Sequence, residues 1–132
     1  MNHSPKKLSA FEIEARLISF SVRIIKMAET LPKEMAAKHL ASQIIRSATF
    51  PALNYGEAQN AESIDDFLHK MKICLKELRE TFVCLKIIDQ RGWFTQGKLS
   101  PLLTENNELL AIFTASTKTI ANNKLNNLKS KS

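Results

Sequence analysis

Glycine and proline are scarce, with 3 and 4 residues in a chain of 132. Turn-rich β folds depend on both, and β-branched runs are also few, so the shortage points to helices. Long apolar runs are missing too. None approaches the ~18 residues of a membrane span, and residues 1–10 lack the apolar core of a secretory signal. Nothing directs the chain out of the cytoplasm, which is therefore its expected location. Cysteine is limited to Cys74 and Cys84. Both fall in one expected helix, separated along it by roughly 15 Å, which excludes a disulfide between them. They read as small buried hydrophobes of a reducing compartment. The three histidines, His3, His39 and His69, show no metal-ligand spacing. None follows a glutamate by three residues, as di-metal centres in helical bundles require. A phosphate-cradling glycine loop, a nucleophile elbow and a dinucleotide fingerprint are all absent. The sequence thus offers no catalytic residue, metal or cofactor, and implies no small-molecule substrate.

What is present describes a folded helical body. The chain is 44% apolar and 24% charged, enough to bury one real core without staples. Its formal net charge is +6 with a pI near 9.5. An excess of that size serves plain solubility, and it suits an acidic partner such as RNA or DNA only where the cations cluster.

In chain order, residues 1–8 form a polar arm with Lys6 and Lys7. Ser9 then caps helix 1, with Glu12 completing a capping box and Leu8 stapling onto Ile13. Ala10, Ile13, Leu17, Phe20, Ile24, Met27 and Leu31 make a bundle-type apolar stripe that ends near Thr30. Pro32 suits the first turn of helix 2, expected from about Lys33 to Ala61. Its core face is Leu40, Ile44, Ala48, Pro51, Ala52 and Tyr55. Pro51 removes a hydrogen bond to the Ser47 carbonyl, so a kink is expected there, with a break into two helices at Phe50 as the alternative. Helix 3 opens at Ser63 with Asp66 at the third position, and its inner stripe runs Ile64, Phe67, Leu68, Met71, Leu75, Leu78, Phe82, Leu85 and Asp89. Gly92 ends it. Trp93 and Phe94 are expected to plug one end of the bundle. Helix 4 starts between Gln96 and Ser100, with Ser100-Pro101 as cap and first residue. Residues 123–132 read as a polar, basic, frayed tail, leaving 9–122 as the folded domain. The expected fold is all-α, an up-down-up-down antiparallel four-helix bundle.

Two surface patterns stand out. Arg46, Phe50, Leu53 and Glu57 fall on one outward row of helix 2. Ile73, Glu77, Glu80, Cys84 and Ile87 form a second flank on helix 3. Large apolar side chains bracketed by opposite charges suit a buried contact better than water, so these nine are the candidate oligomer interface. Within it, Arg46 is expected to pair with Glu77 or Glu80, inside a subunit or across the contact. A third row is basic: Lys72, Lys76, Arg79 and Lys86, beside His69. It reads either as a solvated face or as a strip that follows a phosphate backbone. No aromatic stacking pattern accompanies it, which argues against sequence-specific reading of single strands.

The stretch SQIIRSATFPALNYGEAQNAESIDDFLHKMKICLKELRETFVCLKII combines several of these features. Its helix-embedded proline is followed by Asn54 and Glu57-Ala58, and its next helix runs from Ser63 through Asp66-Phe67 to Lys76-Glu77-Leu78 and Glu80. The combination resembles the four-helix-bundle family of proteins encoded in intervening sequences of bacterial 23S rRNA genes, also labelled S23 ribosomal protein. The resemblance implies a cytoplasmic bacterial bundle without enzyme activity, in a family where homo-oligomers, pentamers among them, occur. It also brings in a basic accessory protein of diversity-generating retroelements, which associates with a reverse transcriptase and nucleic acid. This chain is less basic than that relative, so nucleic-acid binding stands as the alternative to a protein-interaction or scaffold role.

Overall fold

A computed structural model describes residues 8–130, and they fold as four helices. Helix α1 covers Ala10–Glu29, α2 Met35–Gln59, α3 Ile64–Arg91 and α4 Ser100–Ser130. Each packs against its neighbour in the chain, and α1 closes the bundle against α4 through a thinner contact. The result is the up-down-up-down four-helix bundle expected from periodicity.

Local chemistry sets most boundaries. The Ser9 hydroxyl accepts a hydrogen bond from the Glu12 N–H at 3.1 Å, and the Ser63 hydroxyl accepts one from Asp66 at 3.0 Å. Each satisfies an N–H that the helix itself leaves unpaired. At its other end α3 stops at Gly92, whose φ of 81° is the left-handed conformation that closes helices. Helix α2 begins later than expected. Pro32 lies in the connection rather than in the first helical turn, and Glu34 stands at the N-cap with an extended backbone. The helix then runs through Pro51 as one element, so the alternative break at Phe50 does not occur. Pro51 itself is buried. Next to it, the Asn54 side chain donates to the Phe50 carbonyl at 2.8 Å.

Leu17, Phe20 and Ile24 of α1 meet Ile44 and Ala48 of α2, Leu78, Leu85 and Ile88 of α3, and Leu109 and Phe113 of α4 in a fully buried core. Tyr55 and Phe113 stack edge to face with centroids 5.7 Å apart, a geometry that favours aromatic pairs. Trp93 and Phe94 pack partly buried against this core. The Trp93 ring lies beneath the Arg91 guanidinium, and its N–H donates to Glu34 at 3.3 Å. The inner stripe of α3 differs from expectation at its start, where Ile64 is 53% exposed. It is the first residue of the helix and lines a surface pocket with Ala58, Phe67 and Ile120, while Cys74, Thr81 and Ile88 fill inner positions.

Helix α4 continues through Asn122 to Ser130, over the stretch whose composition suggested fraying. No core lies beneath that end, where Leu125 and Leu128 are exposed. Lys124 ties it to Asp65 of α3 through an ion pair. Most of the N-terminal arm, including Lys6 and Lys7, lies outside the described residues. So do residues 131 and 132 at the other end of the chain.

Candidate interaction surface

The seam between α2 and α3 carries the features the sequence singled out. Small residues let the helices approach: Ser47 and Thr81 are both buried, with their hydroxyl oxygens 2.8 Å apart. Thr81 also reaches the Glu77 carbonyl at 2.9 Å, one helical turn back. Directly outside this layer Arg46 bridges the seam. Its guanidinium donates to Glu77 Oε2 at 3.3 Å and to Glu80 Oε2 at 2.9 Å. The expected pair is therefore an intrasubunit clamp that engages both glutamates.

The three charges are unequally placed. Glu77 is buried at 8% exposure, whereas Arg46 and Glu80 are open to solvent. Burial pushes the Glu77 carboxyl above its ordinary range, and the neighbouring Glu80 charge adds to this, while Arg46 pulls the other way. Arg46 is in turn held more firmly protonated, first by Glu77 and then by its hydrogen bond to Glu80. One guanidinium thus offsets a carboxylate held away from water, together with that carboxylate's repulsion from its neighbour.

Beside the clamp, α2 and α3 enclose an open groove of about 540 Å³. Leu40, Val83, Cys84 and Ile87 give it an apolar lining, with Gln43, Lys76, Arg79 and Glu80 at its polar margin. Val83 and Ile87 are 56% and 48% exposed, one turn apart on α3. Of the nine candidate interface residues, Arg46, Leu53, Glu57, Glu80 and Ile87 are exposed. Phe50 and Ile73 are half-buried, and Glu77 and Cys84 are covered by their own subunit. Cys84 sits 3.7 Å from the Leu40 carbonyl, so it contributes floor rather than surface. Burial pushes both cysteine thiols up to about 11. Lys72, Lys76, Arg79 and Lys86 are all exposed on α3. Lys86 lies over the Phe82 ring, and none of the four has a carboxylate within ion-pair distance among the described residues.

Several residues that shape this molecule had no strong sequence signal. Val83 lies between the assigned rows of α3. Arg16 grips Glu105 and Glu108, joining α1 to α4 where their packing is thin. Asn106 is completely buried, and its side-chain N–H donates to the Leu78 carbonyl at 3.0 Å. Each is a polar or lone apolar residue whose partner is distant in sequence, a relation that periodicity does not carry. Among the described residues, no cluster of three or more His, Cys, Asp or Glu is placed to hold a metal. No described helix is long and apolar enough to cross a membrane.

The model of the 23S rRNA-intervening sequence proteins matches residues 10–115, from the first residue of α1 to the middle of α4. The chain belongs to this family. A crystal structure of a protein of unknown function from the S23 ribosomal protein family, from Bacteroides thetaiotaomicron VPI-5482, superposes with a TM-score of 0.76 at 26% identity. The alignment covers 84% of this chain and 99% of that one. No curated protein matches the chain. Among the residues that carry the family resemblance, Arg46, Ser47, Glu77 and Glu80 meet at the α2–α3 seam, and Pro51 and Asn54 sit about one and two turns further along α2.

Proposed function

We propose that this intervening-sequence protein is a non-enzymatic assembly module, a bundle that joins other subunits through its α2–α3 face. The observation that carries the reading is the pair Val83 and Ile87, each about half exposed beside an apolar groove whose floor is already formed. Single exposed aliphatic residues are ordinary on a soluble protein; adjacent ones continuous with an apolar groove suit contact with another surface. Leu53, 75% exposed on the outer side of α2, extends the apolar area beyond the clamp. Light scattering of the full chain at micromolar concentration tests the proposal. A mass at a multiple of 14.9 kDa supports it, and a stable single-chain mass refutes it.

A second reading is favoured by the four unpaired cations of α3. Lys72, Lys76, Arg79 and Lys86 leave a strip of positive charge without internal neutralisation, and repetition of that strip around an oligomer would follow a phosphate backbone. Binding of this kind falls steeply with salt and tolerates any sequence. Replacing Lys72, Lys76 and Arg79 with Glu abolishes it while the bundle stays folded. Absence of RNA and DNA binding at ~50 mM salt refutes it.

A further inference from the structure

Residues 116–130 of α4 lie beyond the stretch that the family model matches, yet they continue the helix for about 21 Å. This end of α4 differs from the rest of the molecule in charge. Residues 109–132 contain Lys118, Lys124, Lys129 and Lys131 and no aspartate or glutamate, in a chain whose whole net charge is +6. It also differs from the rest of α4 in packing. Ala121, Leu125 and Leu128 share one face at spacings of four and three, and the two leucines are 51% and 59% exposed. At 100° per residue, Lys124 falls about 40° to one side of Leu128, and Lys118 and Lys129 fall within about 40° of Leu125 on the other. Thr119, Asn126 and Ser130, exposed and uncharged, occupy the opposite face. The carboxylates at the foot of this segment do not reverse its sign. Asp65 is paired with Lys124 and Asp66 with Lys70, which leaves Glu62 as the remaining carboxylate of the α2–α3 connection and the first turn of α3. Past Lys124 the helix rises about 9 Å further, clear of that ion pair.

We propose that this end of α4 lies along an anionic lipid surface, with Leu125 and Leu128 turned into the boundary between headgroups and acyl chains and the flanking lysines on lipid phosphates. The contact rests on the surface and does not span it. An apolar strip edged on both sides by lysine suits a layer that is apolar below and negatively charged above, because a lysine stem can lie along the apolar zone while its ammonium stays at the headgroups. Anionic headgroups attract basic segments of this kind, and the uncharged face of Thr119, Asn126 and Ser130 is left toward water. Nucleic acid would engage the lysines alone and leave both leucines in water. A second copy of the same face would set lysine against lysine. With two leucines, one segment gives weak, reversible and salt-sensitive binding.

The test sediments the full-length protein with vesicles of phosphatidylcholine alone and with vesicles in which about half the lipid is phosphatidylglycerol. At ~50 mM salt the wild type is expected to pellet with the anionic vesicles at least ~5-fold more than with the neutral ones, and to lose most of that binding at ~300 mM. The double variant Leu125→Asn, Leu128→Asn, changed where no core lies beneath, is expected to keep the wild-type melting temperature and to lose most of the binding at low salt. Lys118→Gln with Lys129→Gln is expected to weaken binding to anionic vesicles roughly tenfold. The proposal is overturned if the wild type ignores both vesicles or does not distinguish them. It is equally overturned if the leucine variant binds as the wild type does, which would make the contact charge alone. Binding of short RNA or DNA duplexes that needs Lys118 and Lys129 but not the leucines, with vesicles ignored, would assign the segment to nucleic acid instead. None of these outcomes depends on the oligomeric mass, so this proposal and the assembly reading fail separately.

Discussion

Asn106 gives the most direct test of how the core is held. The residue is fully buried, and its side-chain oxygen meets no protein donor while its N–H donates to the Leu78 carbonyl. That carbonyl lies in the interior of α3 and keeps its own helical hydrogen bond, so replacing Asn106 leaves no new unsatisfied group on α3. Asn106→Leu keeps the branched shape and removes an acceptor whose desolvation costs about 1–3 kcal/mol. Against this stand one lost hydrogen bond, worth about 0.5–1.5 kcal/mol, and mild overpacking by two methyl groups. Apolar burial of the leucine adds further stabilisation on the same side as the removed acceptor. The net expectation is about 1–2 kcal/mol of stabilisation, a rise in melting temperature of about 3–8 °C for a chain of this size. Thermal unfolding followed by circular dichroism, with urea titration to check that the slope is unchanged, measures it. A fall in stability would show that the Asn106 oxygen is satisfied in solution and would refute the reasoning. Asn106→Ala separates the terms, since it also removes the acceptor but leaves a cavity, and it should lie below Asn106→Leu.

Three further outcomes follow from the clamp and the thiols. Glu77 has its folded-state carboxyl raised, so its contribution to stability is full below the ordinary glutamate range and is lost as pH rises through the folded value. The stability of Glu77→Gln relative to wild type should therefore increase between about pH 4 and neutrality, and a pH-independent difference in paired thermal melts would contradict it. Arg46→Ala leaves buried Glu77 beside Glu80 without its cation, so adding Glu77→Gln should restore part of the lost stability. Urea midpoints for the single and double variants decide the point, and no recovery would mean that the clamp does not offset the buried carboxylate. Because burial pushes Cys74 and Cys84 up to about 11, native protein at pH 8 should alkylate much more slowly than protein in denaturant, and equal rates would place the thiols at the surface.

Elements with short-range causes were legible in the sequence. Ser9 with Glu12, Ser63 with Asp66, and Gly92 announce helix ends because cap and partner lie within one turn. The core of α1 follows from spacing alone. Pro32 misled because its fixed φ is compatible with both a first helical turn and the connection before one, and local chemistry does not choose between them. Pro51 is tolerated inside α2 while buried against the bundle, a tertiary circumstance that a helix-breaking rule omits. The site was half legible. Arg46, Glu77 and Glu80 could be paired because one arginine and two spaced carboxylates pointed toward each other across one seam. The depth of Glu77 and the self-covering of Cys84 depend on how closely α2 approaches α3, which Ser47 and Thr81 decide. Small polar residues give little signal in a hydrophobic pattern. Leu125 and Leu128 illustrate the converse, apolar residues at helical spacing that meet no core.

The placement of charge inside and outside the bundle suggests a division of labour. Within the subunit, the polar contacts occur where helices meet: Ser47 with Thr81, Asn106 with the Leu78 carbonyl, Arg46 with Glu77 and Glu80, and Arg16 with Glu105 and Glu108. Contacts of this type fix the sliding of one helix past another more than they add stability, since leucine and alanine faces alone would pack in several registers. Outside, some charges still bridge helices, as Lys124 with Asp65 and Arg91 with Glu34, while others flank apolar surfaces. Phe11, Ile18 and Val22 lie between Glu14 on one flank and Lys26 and Arg23 on the other, and Val83 and Ile87 lie beside Lys76, Arg79 and Glu80. Both of these exposed apolar faces carry charges of both signs at their margins. The proposed assembly role therefore rests on the exposed apolar area beside the groove, not on a segregation of sign or on the modest overall excess of positive charge.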